Sequence, residues 1–522
     1  MSASNDKAAA LHALNRAAFG PRPGEVAAVA ESGARAYLER QLDPDSIPIP
    51  PELTAQIRGI RTLGMTPPEL FAEFQEPIRE AAKGDVEAKK AARRAARQVV
   101  QEAVYARIVR AIYGPRQLQE VLTAFWFNHF NVFAGKGLCS IWIGAFEEEA
   151  IRPHTLGRFR DLLGATAKHP AMLFYLDNWQ NTAPGSPGAR GKFDGINENY
   201  AREVMELHTL GVNGGYHQDD VIALAHILTG WSIERPGFAA RMGGFGGMGG
   251  GGWFGRFARR RADDGGGAAD AYGFRFYPRR HDYSDKLFLG RKIAGGGMAE
   301  GERALDLLAE SPATAKHLSF QLAQYFVADA PPDALVERMA RRYLQSGGEI
   351  RAVLETMFMS AEFSDPRYRG TKFKTPYEYV ISCARAAGVE VVNTRPLAGA
   401  MAMMGMPLFG CQTPNGYSNT REAWLNPDGM MMRLSFATAI GAGRLPLNRP
   451  LQDYAAGSPV GAAEGPGMRP AEFINRPAPP DPAALAMTLG DLFTPNTAAA
   501  VEQAPPRLRA PLILGSPEFM MR

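Results

Sequence analysis

The chain has 522 residues, 45% of them hydrophobic and 21% charged, which is apolar mass enough for one large or two medium globular domains. Its formal net charge of +4 is a small difference between 58 basic and 54 acidic residues, so the balance calls for no polyanion and nucleic acid is not an expected partner. Three cysteines, Cys139, Cys383 and Cys411, lie far apart without a CxxC pair, which argues against a disulfide scaffold or a zinc ribbon.

The opening MSASNDKAAALHALNRAAFG lacks the apolar run of a signal peptide, and no later segment offers about 18 uncharged apolar residues. No membrane span is expected, and a cytoplasmic location is the default, with export beside a signal-bearing partner as the alternative. Strand-like alternation is scarce, while helical spacing with start and stop signals recurs. The expected fold is therefore mainly α, a multi-helix domain of antiparallel helix hairpins over residues 1–445 with little or no β-sheet.

Residues 89–110, KKAARRAARQVVQEAVYARIVR, read as an alanine-rich helix. Lys90, Arg93, Arg94 and Arg97 share a face, which reads as a solvated one, and Val100, Val104 and Ile108 read as its core side. AFWFNHFNVF, residues 124–133, embeds Asn128 and His129 among Phe125, Trp126, Phe127, Phe130 and Phe133. A histidine so placed is either a core residue bonded through one nitrogen or a ligand or base. FYLDNWQN, residues 174–181, ends a helix on Asp177 and Asn178, residue types that also cap and turn for local reasons.

NENYAREVMELHTLG, residues 197–211, packs Glu198, Arg202, Glu203, Glu206 and His208 into barely three turns. In a regular helix Asn199, Glu203, Glu206 and Leu210 share one stripe, with Tyr200, Val204 and Leu207 on another. Glu203 and Glu206 then have Cβ atoms roughly 5–6 Å apart. Two carboxylates that close, on a desolvated face, can share a proton, and one of them gains a raised pKa suited to acid work. His208 falls about 140° round the helix from Glu203 at about 100° per residue, off that stripe. The plainer reading pairs Arg202 with Glu198 or Glu206 on a face turned to water.

MGGFGGMGGGGWFGRFARRRADDGGG, residues 242–267, is expected to be a disordered glycine-rich insertion, and its GxGxxG-like matches lack the strand and helix of a nucleotide site. Order should resume in FRFYPRRHDYSDKLFLG, residues 274–290, where His281, Asp282 and Lys286 offer a base, its orienting carboxylate and a cation. Ser311-Pro312 and Thr375-Pro376 each set a capping hydroxyl ahead of a first-turn proline. Between them, Leu335, Met339, Tyr343 and Leu344 follow helical spacing, Gly347-Gly348 stops that helix, and Ile350, Val353, Leu354 and Met357 line the next. Residues 446–482 read as a Pro/Ala/Gly-rich linker or arm, and 483–522 as a helical segment packing on the main domain. SAEF near residue 360 and SPEF near the C-terminus each close an apolar helix, as one packed terminus used twice. GxSxG, HExxH, P-loop and EF-hand patterns are absent.

LNRAAFGPRPGEV, FWFNHF, HPAMLFYLDNWQN, NENYAREVMELHTLGV, the LTGW of residues 228–231, RRHDYSDKLFLG, SAEF and TPNGYSNTREAWLN at 413–426 stand in an order and spacing that resemble the bacterial family domain of unknown function 1800. The resemblance runs from about residue 11 to 440. It implies a mostly helical domain without an established activity. It also implies an alkaline-phosphatase-like partner, since such proteins are often encoded beside members of domain of unknown function 1501. Gly416-Tyr417 departs from the Gly-Trp common in relatives, which puts that contact in doubt.

Two functions are expected from these readings. In the first, an enzyme holds a polar pocket in its helical domain. His129, Glu203 and His281 bind a divalent ion such as zinc, iron or manganese. Glu206, with Glu203 and Asp282, does acid and base work, while Asn128, Asp177, Asn178, Asn199, Arg202 and His208 hold substrate. Hydrolysis and oxidation at non-haem iron both suit that set. In the second, the same residues form a buried structural network in a non-enzymatic or chaperone-like partner of the alkaline-phosphatase-like protein.

Overall fold

The computed structural model describes residues 3–81, 86–191, 193–234, 269–449, 478–489 and 492–522. The glycine-rich stretch 242–267 and residues 450–477 of the expected arm lie outside them. Helices dominate, and one continuous hydrophobic cluster runs from Ala13 in the first helix to Met520 near the C-terminus.

The helix starts follow the capping chemistry. Ser311 Oγ accepts the Ala313 N–H at 3.2 Å. Thr375 Oγ1 accepts the Glu378 N–H at 3.3 Å while the Thr375 N–H donates to the Glu378 carboxylate at 2.8 Å, a reciprocal capping box. Helices Pro312–Phe326, Asp333–Gln345 and Ile350–Phe358 pack as successive neighbours through short turns. The last turn is made by Gly347 and Gly348, with φ of 66° and 81°. Leu335, Met339 and Tyr343 are buried as expected, but Leu344 stands exposed and Val336 takes the inner place.

Helix Val86–Tyr113 turns Lys90, Arg93, Arg94 and Arg97 to solvent. Its core side holds Val99, Ala103, Ala106 and, as expected, Ile108, with Val100 and Val104 only partly buried. Close approach explains the small residues. A side chain built at Gly144 in the facing helix Cys139–Ala145 would start 3.2 Å from the Ala103 Cβ.

Strand structure among the described residues is two antiparallel hairpin-like pairs, Trp231–Ile233 with Phe274–Phe276 and Lys286–Phe288 with Arg291–Ile293. They pin the RRHDYSDK stretch against helix Met298–Ala309. The fit is close enough that a Cβ on Gly301 would sit 2.2 Å from the Trp231 ring.

At the C-terminal end, helix Pro506–Leu514 packs on Pro427–Gly441, where a Cβ on Gly441 would lie 2.6 Å from the Pro511 nitrogen. Phe373 then bridges Met521, the Lys374 N–H donates to the Met520 carbonyl at 2.9 Å, and the Arg522 N–H donates to the Lys372 carbonyl at 2.7 Å. The S-x-E-F segments follow their apolar helices instead of closing them. Ser360 Oγ accepts the Phe363 N–H at 3.1 Å and Ser516 Oγ the Phe519 N–H at 3.2 Å, and both phenylalanines are buried.

Candidate functional site

The 197–211 motif is anchored before its helix begins. The Asn197 N–H donates to Asn181 Oδ1 at 2.8 Å, and Asn197 Oδ1 accepts the Asn199 N–H at 3.0 Å. Regular α-helix covers Asn199–Glu203 and then underwinds into a π turn over Val204–His208. The Thr209 hydroxyl closes it on the Val204 carbonyl at 2.6 Å. This turn changes the faces expected of a regular helix. Tyr200, Val204, Met205 and His208 point inward, Leu210 is buried, and Leu207 is left half-buried with Arg202, Glu203 and Glu206.

On the half-buried side, Arg202 donates to Glu198 at 3.1 Å, to Glu206 at 3.3 Å and to Gln218 at 2.9 Å. Glu203 makes no hydrogen bond or ion pair among the described residues. Burial first, and the neighbouring Glu206 second, raise its carboxyl above the ordinary range, with Arg202 opposing. Burial and a hydrogen bond to Glu206 push the Tyr216 phenol up to about 12. Burial also raises the Tyr175 phenol, with a contribution from Glu203, while its hydroxyl donates to the Gln412 carbonyl at 2.8 Å. Glu203 therefore sits among Glu206, Tyr216 and Tyr175, a carboxylate with no donor to stabilise its charge.

Of the residues read as substrate binders, Asn128, Asn178, Asn199 and Asp177 are engaged by the fold, as are the neighbouring Asn131 and Asn181. Asn128 Nδ2 donates to the Tyr417 carbonyl at 2.8 Å and its Oδ1 accepts the Tyr417 N–H at 2.7 Å, a two-point clamp across 289 residues. Gly416, with φ of 68°, is required beside it, because a Cβ there would meet the Asn128 carbonyl oxygen at 2.3 Å. The Asn128 clamp is thus made by the Tyr417 backbone, while the Tyr417 hydroxyl donates to the Pro407 carbonyl at 3.0 Å. Asn131 holds the Cys411 and Thr413 carbonyls at 3.1 and 2.8 Å. Asn178 donates to the Trp231 carbonyl at 3.0 Å, Asn181 to the Ala225 carbonyl at 2.8 Å, and Asn199 to the Leu176 carbonyl at 3.3 Å. Asp177, in the left-handed region at φ 61°, pairs with Lys136 at 2.8 Å.

His129 donates Nε2 to the His208 carbonyl at 3.0 Å within rings of Trp126, Phe130 and Phe125. Burial, helped by the nearby His317, lowers it to about 3. The His208 ring lies 5.9 Å from that of His129, is 1% exposed, and has no hydrogen bond at either nitrogen. It is a core residue and not a surface contact for substrate.

His281 belongs to a different network. Its Nδ1 faces the Thr229 carbonyl at 2.8 Å and its Nε2 the Glu300 carboxylate at 2.8 Å, so both nitrogens are engaged within the protein. Lys286 takes the other Glu300 oxygen at 2.7 Å, and the Gly296 and Gly297 N–H groups donate to the first at 2.7 and 2.9 Å. Against the upward pull of burial, these bonds hold the Glu300 carboxyl below its ordinary range. His129, Glu203 and His281 do not converge, and among the described residues no group of three His, Cys, Asp or Glu side chains is arranged to hold a metal ion.

Asp282 lies beside a histidine other than His281. Its Oδ2 is 2.7 Å from His226 Nδ1, without the geometry of a hydrogen bond, while its Oδ1 accepts the Ser284 N–H at 2.8 Å. His226, in helix Gln218–Ile227, is partly exposed. The sequence reading passed over His226 because no spacing rule joins two residues 56 apart. Its one signal was its place just before LTGW, a motif already singled out.

A family model described as Protein of unknown function (DUF1800) matches residues 12–521. No curated protein and no solved structure matches the chain.

Proposed function

The chain belongs to the DUF1800 family of proteins of unknown function, and within it we propose a hydrolytic enzyme whose general acid and base is Glu203. The observation that carries this reading is the Glu203 carboxylate itself: half-buried, without a donor, raised by burial and by Glu206. A carboxyl in that setting holds a proton closer to neutral pH than an ordinary one does and passes it to a leaving group. Glu206 is tied to Arg202 beside it, and Arg202 offers the cation for an anionic or carbonyl-containing substrate. His129 and His281 each commit Nε2 to a hydrogen bond and do not meet Glu203, so the reading runs through acid–base chemistry.

The test is a carboxyl titration by NMR or difference infrared spectroscopy, with Glu203→Gln identifying the signal, followed by turnover of chromogenic esters, phosphoesters and glycosides. A raised Glu203 titration and an activity lost in Glu203→Gln are expected. An ordinary carboxyl titration, or turnover indifferent to the substitution, overturns the reading.

A second reading, a non-enzymatic partner of an alkaline-phosphatase-like protein, is favoured by the asparagines. Asn128, Asn131, Asn178 and Asn181 all serve distant backbone and leave no amide free for a ligand. Co-expression and co-purification test it, with a stoichiometric complex expected and separate elution counting against it. No helix among the described residues is long and apolar enough to cross a membrane.

A further inference from the structure

Away from Glu203, a cavity of about 730 Å³ opens between the first helix, the 369–373 turn, the 421–430 region and the C-terminal residues. Its walls are largely apolar, with Leu11, Phe373, Leu425, Met430 and Met520 among them. Its charged lining is one-sided. Arg369, Arg421 and Arg522 face a single acid, Glu518, whose carboxylate is occupied by the Thr494 and Thr497 hydroxyls at 2.7 and 2.8 Å.

These arginines are incompletely satisfied. Arg522 is 4% exposed, with Glu378 at 2.8 Å and the Tyr325 carbonyl at 2.8 Å taking its terminal nitrogens, yet its Nε makes no hydrogen bond. The Arg369 Nε is likewise buried and unbonded, its Nη2 reaching only the Ser364 carbonyl at 3.4 Å, and the Arg421 side chain is exposed at the rim. Immediately behind the wall formed by His12 and Asn15, Arg16 is fully buried with Nε and Nη1 both unbonded. Burial, then the charge of Arg522, holds its guanidinium well below the usual range, and burial with the charge of Arg16 takes His12 down to about 3. Buried cations set against one another with idle donors are costly unless an anion completes them.

We propose that this cavity binds an anion with a hydrocarbon tail, its carboxylate or phosphate head held by Arg369, Arg421 and Arg522 and its tail laid along Leu11, Phe373, Leu425, Met430 and Met520. The volume falls in the range of ordinary small-ligand sites, and the pairing of guanidinium forks with an apolar wall selects for head and tail together. The proposal is independent of the reading at Glu203.

Isothermal titration with dodecanoate and with dodecyl phosphate tests it on the full chain. Dodecyltrimethylammonium serves as the same tail with the opposite charge, and acetate as a head without a tail. One saturable site for at least one of the two anionic amphiphiles is expected, with neither control competing, and the tighter of the two names the head group. The double substitution Arg369→Gln with Arg421→Gln removes the two less buried arginines, so the protein should keep its unfolding temperature while losing about tenfold or more in affinity. Absence of a saturable site for both anions, equal binding of the cationic amphiphile, or affinity unchanged in a correctly folded double variant overturns the proposal.

Discussion

Two glutamates show how far surroundings separate one residue type in this molecule. Glu300 is buried and receives donors from His281, Lys286, Gly296 and Gly297, and its carboxyl is held low. Glu203 is only half-buried, receives none, and is pushed up. Burial alone raises both, so what divides them is the supply of donors. The first is a structural hub that ties a strand pair to a helix, and the second is the carboxyl we propose as acid and base.

Glu300→Ala should be the most damaging change that separates the pair, because it leaves Lys286 and His281 buried without a counter-charge. A loss of about 3–5 kcal/mol is expected in chemical denaturation, and a loss near zero would show that the hub is not needed. Acid comes next. His129 and His12 have folded values of about 3 against the ordinary 6.5 of an unfolded chain, so the unfolded state takes up protons first. Their contribution is complete above pH 6.5 and falls as pH drops toward 3, by about 1.4 kcal/mol per pH unit for each histidine. Glu300 loses its contribution in the same direction, as pH falls through its lowered value. Glu203 has the opposite sign, losing stability as pH rises above the ordinary carboxylate range, so stability-versus-pH curves of wild type and Glu203→Gln should diverge on the alkaline side of it.

Asn128→Ala strands the Tyr417 N–H and C=O and should cost about 1–3 kcal/mol, measured by thermal or urea unfolding. Glu203→Gln at pH 7 should be the smallest effect, within about 0.5 kcal/mol of wild type or slightly stabilising. A large destabilisation there would turn Glu203 into another structural carboxylate and erase the contrast with Glu300.

The helical character was legible because its causes are local. Ser311 and Thr375 cap the turns that follow them, and Leu335, Met339 and Ile350 announce their faces within a single helix. The Glu203 and Glu206 stripe was legible for the same reason. The clamps were not, since Asn128 finds Tyr417 across 289 residues and nothing in either neighbourhood names the other. His281 was misjudged because its partner, Glu300, stands outside every motif that drew attention. The inward placement of His208 was half-legible: its separation from the glutamates followed from helical spacing, whereas the π turn that sends Met205 with it into the core did not.

That π turn has a further consequence. A π turn is an α-helix carrying one surplus residue, so it works as a phase step: the Asn199–Glu203 half and the Val204–His208 half obey separate angular clocks. The surplus residue is what turns Met205 into the core beside His208 and leaves Leu207 half-buried at the same level of the helix.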